Sequence, residues 1–144
     1  MTRGGGRVRP CSAADARALA GYAAAYLAAA KQLREAGGPG ADHVATGNAV
    51  LAAIAASDAV CGALLGERPR GEDHRQAVRM LGTVRRGPGD DGTWAAALAD
   101  DLAQALDAKA ESHYGVAGIG RDAQVRSLRA AERLVAAARE VTRR

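Results

Sequence analysis

The sequence predicts an all-α protein, an up-and-down bundle of four to five helices. Alanine, which loses no side-chain entropy in a helix, makes up about a quarter of the 144 residues. Apolar residues recur at the helical period in five segments, and Gly- and Pro-rich stretches separate these segments. No segment shows the alternation that is typical of a strand. We expect one domain over residues 12–142, preceded by a flexible Gly/Arg-rich tail over residues 1–11.

The first two helices are predicted from Ser12 to about Ala36 and over about residues 41–65. Ser12 is a good N-cap residue, and Asp15 three residues later completes an approximate capping box. The expected apolar face of the first helix contains Leu19, Tyr22, Tyr26 and Leu33. The apolar positions of the second helix are Val44, Leu51, Ile54, Ala55, Cys61 and Leu65.

Three further helices are predicted over about residues 72–84, 94–114 and 121–142. Asp73 is suited to cap the third helix and Thr93 the fourth. Residues 115–120 are rich in glycine and are expected to form a linker. The inward side chains of the fifth helix are expected to be Val125, Leu128, Val135, Ala138 and Val141.

Most of the acidic pairs and histidines have a structural interpretation. Asp90-Asp91 are expected to be charges at the start of the fourth helix, and Asp100-Asp101 are expected to lie on its solvated face. His74 is expected to be a core histidine with its hydrogen bonds satisfied. Asp58 lies on the apolar stripe of the second helix, where an unpaired buried carboxylate is costly. The expected partners of Asp58 are on the fourth helix: Lys109, His113 and Tyr114.

Composition and charge limit the classes of function. The net charge of +4, carried by 18 arginines and two lysines, permits contact with phosphate but does not demand it. Three histidines on separate elements and two cysteines, with no HExxH or CxxC, predict neither a metal site nor a cofactor. We expect Cys61 to be a small buried hydrophobe. No segment reaches the roughly 18 apolar residues of a membrane span, so we expect a cytoplasmic protein without a membrane partner.

A candidate site lies at the end of the fourth helix. Lys109 and His113 are four residues apart and therefore neighbours on one helix face, and Tyr114 follows directly. They continue the stripe of Leu102 and Leu106, which points them toward a core or an interface. The candidate phosphate- or ligand-binding residues are Lys109, His113, Tyr114 and Arg121.

Several motifs together resemble a known family. The motifs are an alanine-rich second helix, Gly71-x-Asp73-His74-x-x-Ala77, Lys109-x-x-x-His113-Tyr114-Gly115, and Ala130-Ala131-Glu132-Arg133-Leu134. Over residues 12–142 the chain resembles the HEPN domain, a small helical bundle of prokaryotic toxin–antitoxin and defence systems. The resemblance implies a homodimer in which two Arg-x(4–6)-His motifs flank one cleft and cleave RNA without a metal ion.

In that chemistry, histidine transfers a proton while arginine holds the phosphate. His113 stands at the position of the family's histidine, but position 108, where the arginine is expected, is Ala108, and the basic residue present is Lys109. Lysine lacks the bidentate guanidinium fork. Arg68-x(5)-His74 also fits the spacing, but it lies before the third helix.

The resemblance therefore predicts a dimeric module that binds RNA, a nucleotide or a partner, with weakened or lost nuclease activity. The partner implied is an antitoxin or a nucleotidyltransferase. One alternative is an active metal-independent ribonuclease toxin, with His113 as acid/base and Lys109 or Arg121 in place of the arginine. Another is a structural scaffold in which Asp58 and Lys109/His113 form an internal ion pair.

Overall fold

A computed structural model describes residues 7–71, 73–114 and 120–143, and the side chains of residues 109–114 lie outside the described part. Within these residues the chain forms five helices: α1 (Ala13–Ala36), α2 (Ala41–Leu65), α3 (His74–Leu81), α4 (Thr93–Tyr114) and α5 (Arg121–Thr142). Two short strands, β1 (Val8–Pro10) and β2 (Glu67–Pro69), pair antiparallel. The prediction of a helical bundle is confirmed, and α2 and α5 have the predicted bounds.

The predicted capping of α1 is confirmed. The backbone N–H of Asp15 donates to Ser12 Oγ, and the backbone N–H of Ser12 donates to the Asp15 carboxylate, both at 3.0 Å. Each bond satisfies an N–H group that the first turn of a helix leaves unpaired. The sequence signal and the local geometry therefore agree at the start of the bundle.

Helix α2 is the centre of the bundle and packs against α1, α3, α4 and α5. Its buried surface is mostly alanine, with five alanines at 0–1% exposure: Ala49, Ala52, Ala53, Ala56 and Ala59. Such small side chains let the helices approach closely. The larger fully buried side chains fill the remaining space: Leu81, Leu102, Leu134, Val50, Val60, Val84 and Val135. Cys61 is buried, as predicted.

The predicted apolar face of α1 is wrong for its two tyrosines, whereas Leu19 packs against the core as predicted. Tyr22 and Tyr26 are 60% and 38% exposed. The inward residues of α1 are smaller: Ala16, Ala20, Ala23, Leu27 and Ala30. Val44, Leu51 and Leu65 of α2 are also exposed. Alanines make the close contact between these helices, so the bulky side chains remain outside.

Helix α2 is also long and apolar enough to cross a membrane by length and composition. The sequence-based expectation that no segment reaches this limit is therefore wrong for α2. In its most apolar 18-residue window, 61% of the residues are buried inside the bundle. Packing within the bundle accounts for this hydrophobicity, so the composition of α2 alone does not indicate a span.

The two-stranded ribbon corrects the prediction of no strand and of a tail through residue 11. Val8 pairs with Pro69, and Arg9 pairs with Arg68. The backbone N–H of Cys11 donates to Gly66 O at 2.9 Å, where α2 ends in a left-handed glycine. The paired segments are far apart in the chain, and each is only three residues long and contains a proline, so the local signal for the strands is weak.

Helix α3 is shorter than predicted and is tied to the ribbon. Asp73 caps it, as predicted, by accepting hydrogen bonds from the backbone N–H groups of Arg75 and Gln76 at 3.0 and 3.2 Å. The buried Gln76 side chain donates from Nε2 to Arg7 O at 2.9 Å. This bond fixes β1 against the start of α3.

Asp101 is not a solvated-face charge. It is 6% exposed and accepts three hydrogen bonds from Arg133 of α5: Nε lies 3.0 Å from each carboxylate oxygen, and Nη2 lies 2.6 Å from Oδ1. Its neighbour Asp100 is exposed, as predicted. Asp91 accepts the backbone N–H of Thr93, the first residue of α4, which confirms its helix-start role. Asp90 instead accepts the N–H groups of Arg86 and Gly92 and closes the loop before the helix.

Candidate functional site

Four arginines lie on one face of the β1–β2 ribbon. Directly opposed residues of paired strands share a face, and so do residues two apart in one strand. Arg9 opposes Arg68, and the backbone hydrogen bond from Arg70 to Arg7 extends the pairing by one step. This shared face, which we call the arginine face, consists of Arg7, Arg9, Arg68 and Arg70.

The opposite face of the ribbon contacts the bundle. Pro69 is buried and Val8 is half-buried, whereas three of the four arginines are exposed and Arg68 is half-buried. Like charges directly opposite each other destabilise a strand pair. The opposed Arg9 and Arg68 therefore favour the approach of an anion that neutralises them.

Asp58 of α2 supplies negative charge beside the arginine face. Its Oδ2 lies 3.6 Å from Arg68 Nη1, which is within ion-pair range but long for a hydrogen bond. Only 16% of the Asp58 side chain is exposed. Burial raises the pKa of Asp58 to about 6, against the opposing effect of the positive charges on Arg68 and Arg9. The ionised carboxylate is therefore poorly compensated.

The observed ion-pair partner of Asp58 differs from the predicted ones. The sequence suggested Lys109, His113 or Tyr114, whereas the described partner is Arg68 of β2. The side chains of the three predicted partners lie outside the described residues, so their roles remain predictions.

A cleft of about 280 Å³ lies between α2, β2, α3 and α4, next to the arginine face. Its apolar walls contain Leu51, Ile54, Ala77, Leu102 and Leu106. Its polar lining includes Ser57, Asp58, Arg68, Arg70, Asp73 and His74. An apolar concavity with a few convergent polar groups is the usual form of a small-ligand site.

Ser57 has an unusual environment in this cleft. Its side chain is 1% exposed, and Oγ has no hydrogen-bond partner in the part of the chain that the structure describes. Most buried polar side-chain atoms are hydrogen-bonded, because an unpaired one loses its interaction with water without replacement. Ser57 Oγ and the neighbouring Asp58 carboxylate are therefore two polar groups of the cleft that the described residues pair incompletely.

His74 was expected in the core, but it is half-buried and lines the cleft at the first position of α3. It therefore lines the same cleft as Arg68, which precedes it in the chain with five residues between the two. The spacing Arg68-x(5)-His74, noted in the sequence, thus corresponds to a shared surface.

Several residues of this site were missed by sequence reasoning: Arg7, Arg9, Arg70 and Ser57. The available signal was the alternation of arginine with an apolar residue, Arg-Val-Arg before α1 and Arg-Pro-Arg after α2. This alternation is typical of a strand with one charged face, but each copy is only three residues long.

Arg121, another predicted ligand-binding residue, is exposed at the start of α5. It lines a different surface depression, together with Arg34, Asp42 and Gln124. Lys109, His113 and Tyr114 belong to the last turns of α4 by backbone position. The predicted residues are therefore not shown to form one site.

Among the described residues, no group of three or more His, Cys, Asp or Glu side chains is arranged to hold a metal ion. Comparisons of the chain with protein families, with curated proteins and with solved structures find no match. The resemblance to the HEPN domain thus rests on the sequence motifs alone.

Proposed function

We propose that this protein is a cytoplasmic, HEPN-like module that binds RNA or a nucleotide through the arginine face and the adjoining cleft. The family resemblance further suggests a role in a toxin–antitoxin or defence system, with an antitoxin or a nucleotidyltransferase as partner. Binding is the main activity proposed, since Ala108 stands where the family's catalytic arginine is expected.

The observation that carries this proposal is the set of four arginines on one face of a ribbon. The four guanidinium groups lie together on this face, whereas Asp73 of the adjoining cleft is engaged as the cap of α3. Such a cluster of guanidinium groups favours a ligand with several phosphates, because guanidinium groups bind phosphate oxygens in pairs of hydrogen bonds.

Salt-dependent binding tests the proposal. Fluorescence anisotropy with a labelled single-stranded RNA decamer should give an affinity that falls as salt rises, because each neutralised phosphate releases counterions. The double variant Arg9→Ala/Arg70→Ala should bind at least about tenfold more weakly. Its log–log salt slope should be smaller by about 1.4, that is, by about 0.7 for each lost phosphate contact on a single strand.

The matched control removes the same charge elsewhere. Arg129→Ala/Arg139→Ala changes two exposed arginines of α5 and should leave affinity and slope close to the wild-type values. Equal loss in both double variants would show that net charge alone drives binding, and the proposed site would be rejected.

The homodimer implied by the resemblance is proposed to form through the outer face of α1. Tyr22 and Tyr26 are exposed there, and no charged residue lies between Arg17 and Lys31. A stable dimer needs an interface of about 1,200 Å² or more in total. Light scattering should detect a dimer that Tyr22→Glu converts to monomer, whereas Gln32→Glu, also on the exposed side of α1, should preserve it. A monomeric wild-type protein would contradict this proposal.

RNA cleavage is the second candidate function, and one observation favours it. Arg68 and His74 have the family's spacing and line the same cleft, so a phosphate held by Arg68 would lie near a proton-transfer group. Cleavage in the presence of a chelator should then be lost in His74→Ala. Loss in His113→Ala instead would assign it to the end of α4, and an uncut RNA would leave binding as the function.

A further inference from the structure

The cleft and the arginine face together have the chemistry of a site for one nucleotide unit. We propose that the cleft takes a single unpaired nucleobase, from a single-stranded RNA or a free nucleotide, while the attached phosphate binds the arginine face. This inference rests on the proposed function and adds which part of the ligand each surface binds. Two sources share this chemistry, and the experiment below distinguishes them.

The walls of the cleft suit the flat faces of a base. Leu51 and Ile54 of α2 and Leu106 of α4 line it; Leu51 remains 45% exposed, and Ile54 and Leu106 are half-buried. Large apolar side chains that stay exposed in a concavity gain by covering with an apolar surface. His74 adds a ring of the kind on which unstacked bases pack.

The floor of the cleft suits the polar edge of a base. Ser57 Oγ can donate and accept a hydrogen bond, and it has no partner within the described ranges. The Asp58 carboxylate lies 3.6 Å from Arg68 and retains acceptor capacity for an N–H group. Base edges present both donors and acceptors, and proteins that recognise single-stranded RNA bind them in this way.

Size and connection are also appropriate. A volume of about 280 Å³ is just below the range of small-ligand sites, roughly 300–1,000 Å³, and so accommodates one base-sized group rather than a larger ligand. Arg68 and Arg70 belong both to the cleft lining and to the arginine face. A base in the cleft would therefore carry its phosphate directly to guanidinium groups.

The test compares two ligands of equal charge, an RNA decamer and an abasic ribose-phosphate decamer, by anisotropy at one salt concentration. The wild-type protein should bind the RNA about tenfold more tightly, since stacking of a base on an aromatic ring, here that of His74, typically contributes about this much. Ser57→Ala and the cleft-filling Ala77→Leu should each reduce this preference, with little change for the abasic chain. Circular dichroism checks that both variants fold.

The outcomes separate this inference from the proposed function. If the wild-type protein binds both decamers equally, the cleft does not read a base, although the arginine face still binds phosphates. If it binds neither decamer and calorimetry detects no binding of a nucleoside monophosphate, both proposals are wrong. Calorimetry also identifies the source of the base. Tighter binding of the nucleoside monophosphate than of inorganic phosphate indicates a free nucleotide, and binding of the RNA decamer without binding of the monophosphate indicates RNA.

Discussion

Asp101, which is buried, and Asp58, which is half-buried, have opposite environments. Asp101, between α4 and α5, accepts three hydrogen bonds from Arg133. Asp58, at the cleft, lies 3.6 Å from Arg68, and its neighbour Ser57 has an unpaired hydroxyl within the described residues. The bundle interior thus satisfies its polar groups, whereas the cleft leaves them incompletely paired. Proteins tolerate such departures mainly at functional sites, where a ligand completes the pairing.

The largest expected difference is in the free energy of unfolding that is lost when a leucine of each region is changed to alanine. Leu134 is 0% exposed in the core, so Leu134→Ala should lower the free energy of unfolding by about 3–4 kcal/mol through lost burial and a cavity. Leu51→Ala at the cleft wall should cost less than about 1 kcal/mol, because Leu51 is already 45% exposed. Urea denaturation measures both values. A similar cost at both positions would mean that the cleft wall is packed as tightly as the core.

The second contrast is a matched change of charge at the cleft. Asp58→Asn should raise the free energy of unfolding at pH 7.5 by up to about 3 kcal/mol. This figure follows from the raised pKa of Asp58, about 6 in the fold against an ordinary 3.8, at 1.36 kcal/mol for each pH unit between the two values. The asparagine keeps the shape of the side chain and removes a charge that burial penalises.

The same pKa fixes the direction of the pH dependence. Between about pH 4 and 6 the folded state holds a proton on Asp58 that the unfolded chain has released. Above pH 6 the ionised Asp58 lowers the free energy of unfolding by its full amount. This destabilisation decreases as the pH falls from 6 toward 4. The difference between wild type and Asp58→Asn should shrink over this window. A constant difference would show that Asp58 is well compensated in the fold.

The smallest contrast is the corresponding change in the interior. Asp101→Asn should lower the free energy of unfolding by about 1–2 kcal/mol, because the charge-assisted hydrogen bonds from Arg133 to the buried carboxylate are weakened, while the Arg133 side chain is itself 53% exposed. Thermal denaturation at pH 7.5 gives the sign directly. Stabilisation in Asp101→Asn as well as in Asp58→Asn would remove the distinction between the two regions.

The parts of the fold that the sequence predicts are those set by local pattern. The bounds of α2 follow from helical periodicity and from the glycines at its two ends, and the start of α5 follows from Gly120. The cap of α1 follows from Ser12 and Asp15. Asp100 and Asp101 look alike in the sequence, and only the position of α5 makes one of them buried. Likewise, the exposure of Tyr22 depends on how closely α1 approaches α2.

The candidate site was less predictable because it is assembled from distant segments. Arg9 and Arg68 become neighbours only through strand pairing. The hydroxyl of Ser57, which has no partner within the described residues, depends for its partners on what α3 and α4 place around it. The sequence did indicate Asp58 as an unusual acid, from its place on an apolar stripe. It could not indicate that the nearest described cation would come from β2.

A crystal structure of the protein with a short oligoribonucleotide tests the central claim most directly. We expect a phosphate within hydrogen-bond distance, about 3 Å, of the guanidinium groups of Arg68 and Arg70, with the adjoining base in the cleft against Leu51. An oligonucleotide bound instead at the depression beside Arg121, with the arginine face uncovered, would contradict the account.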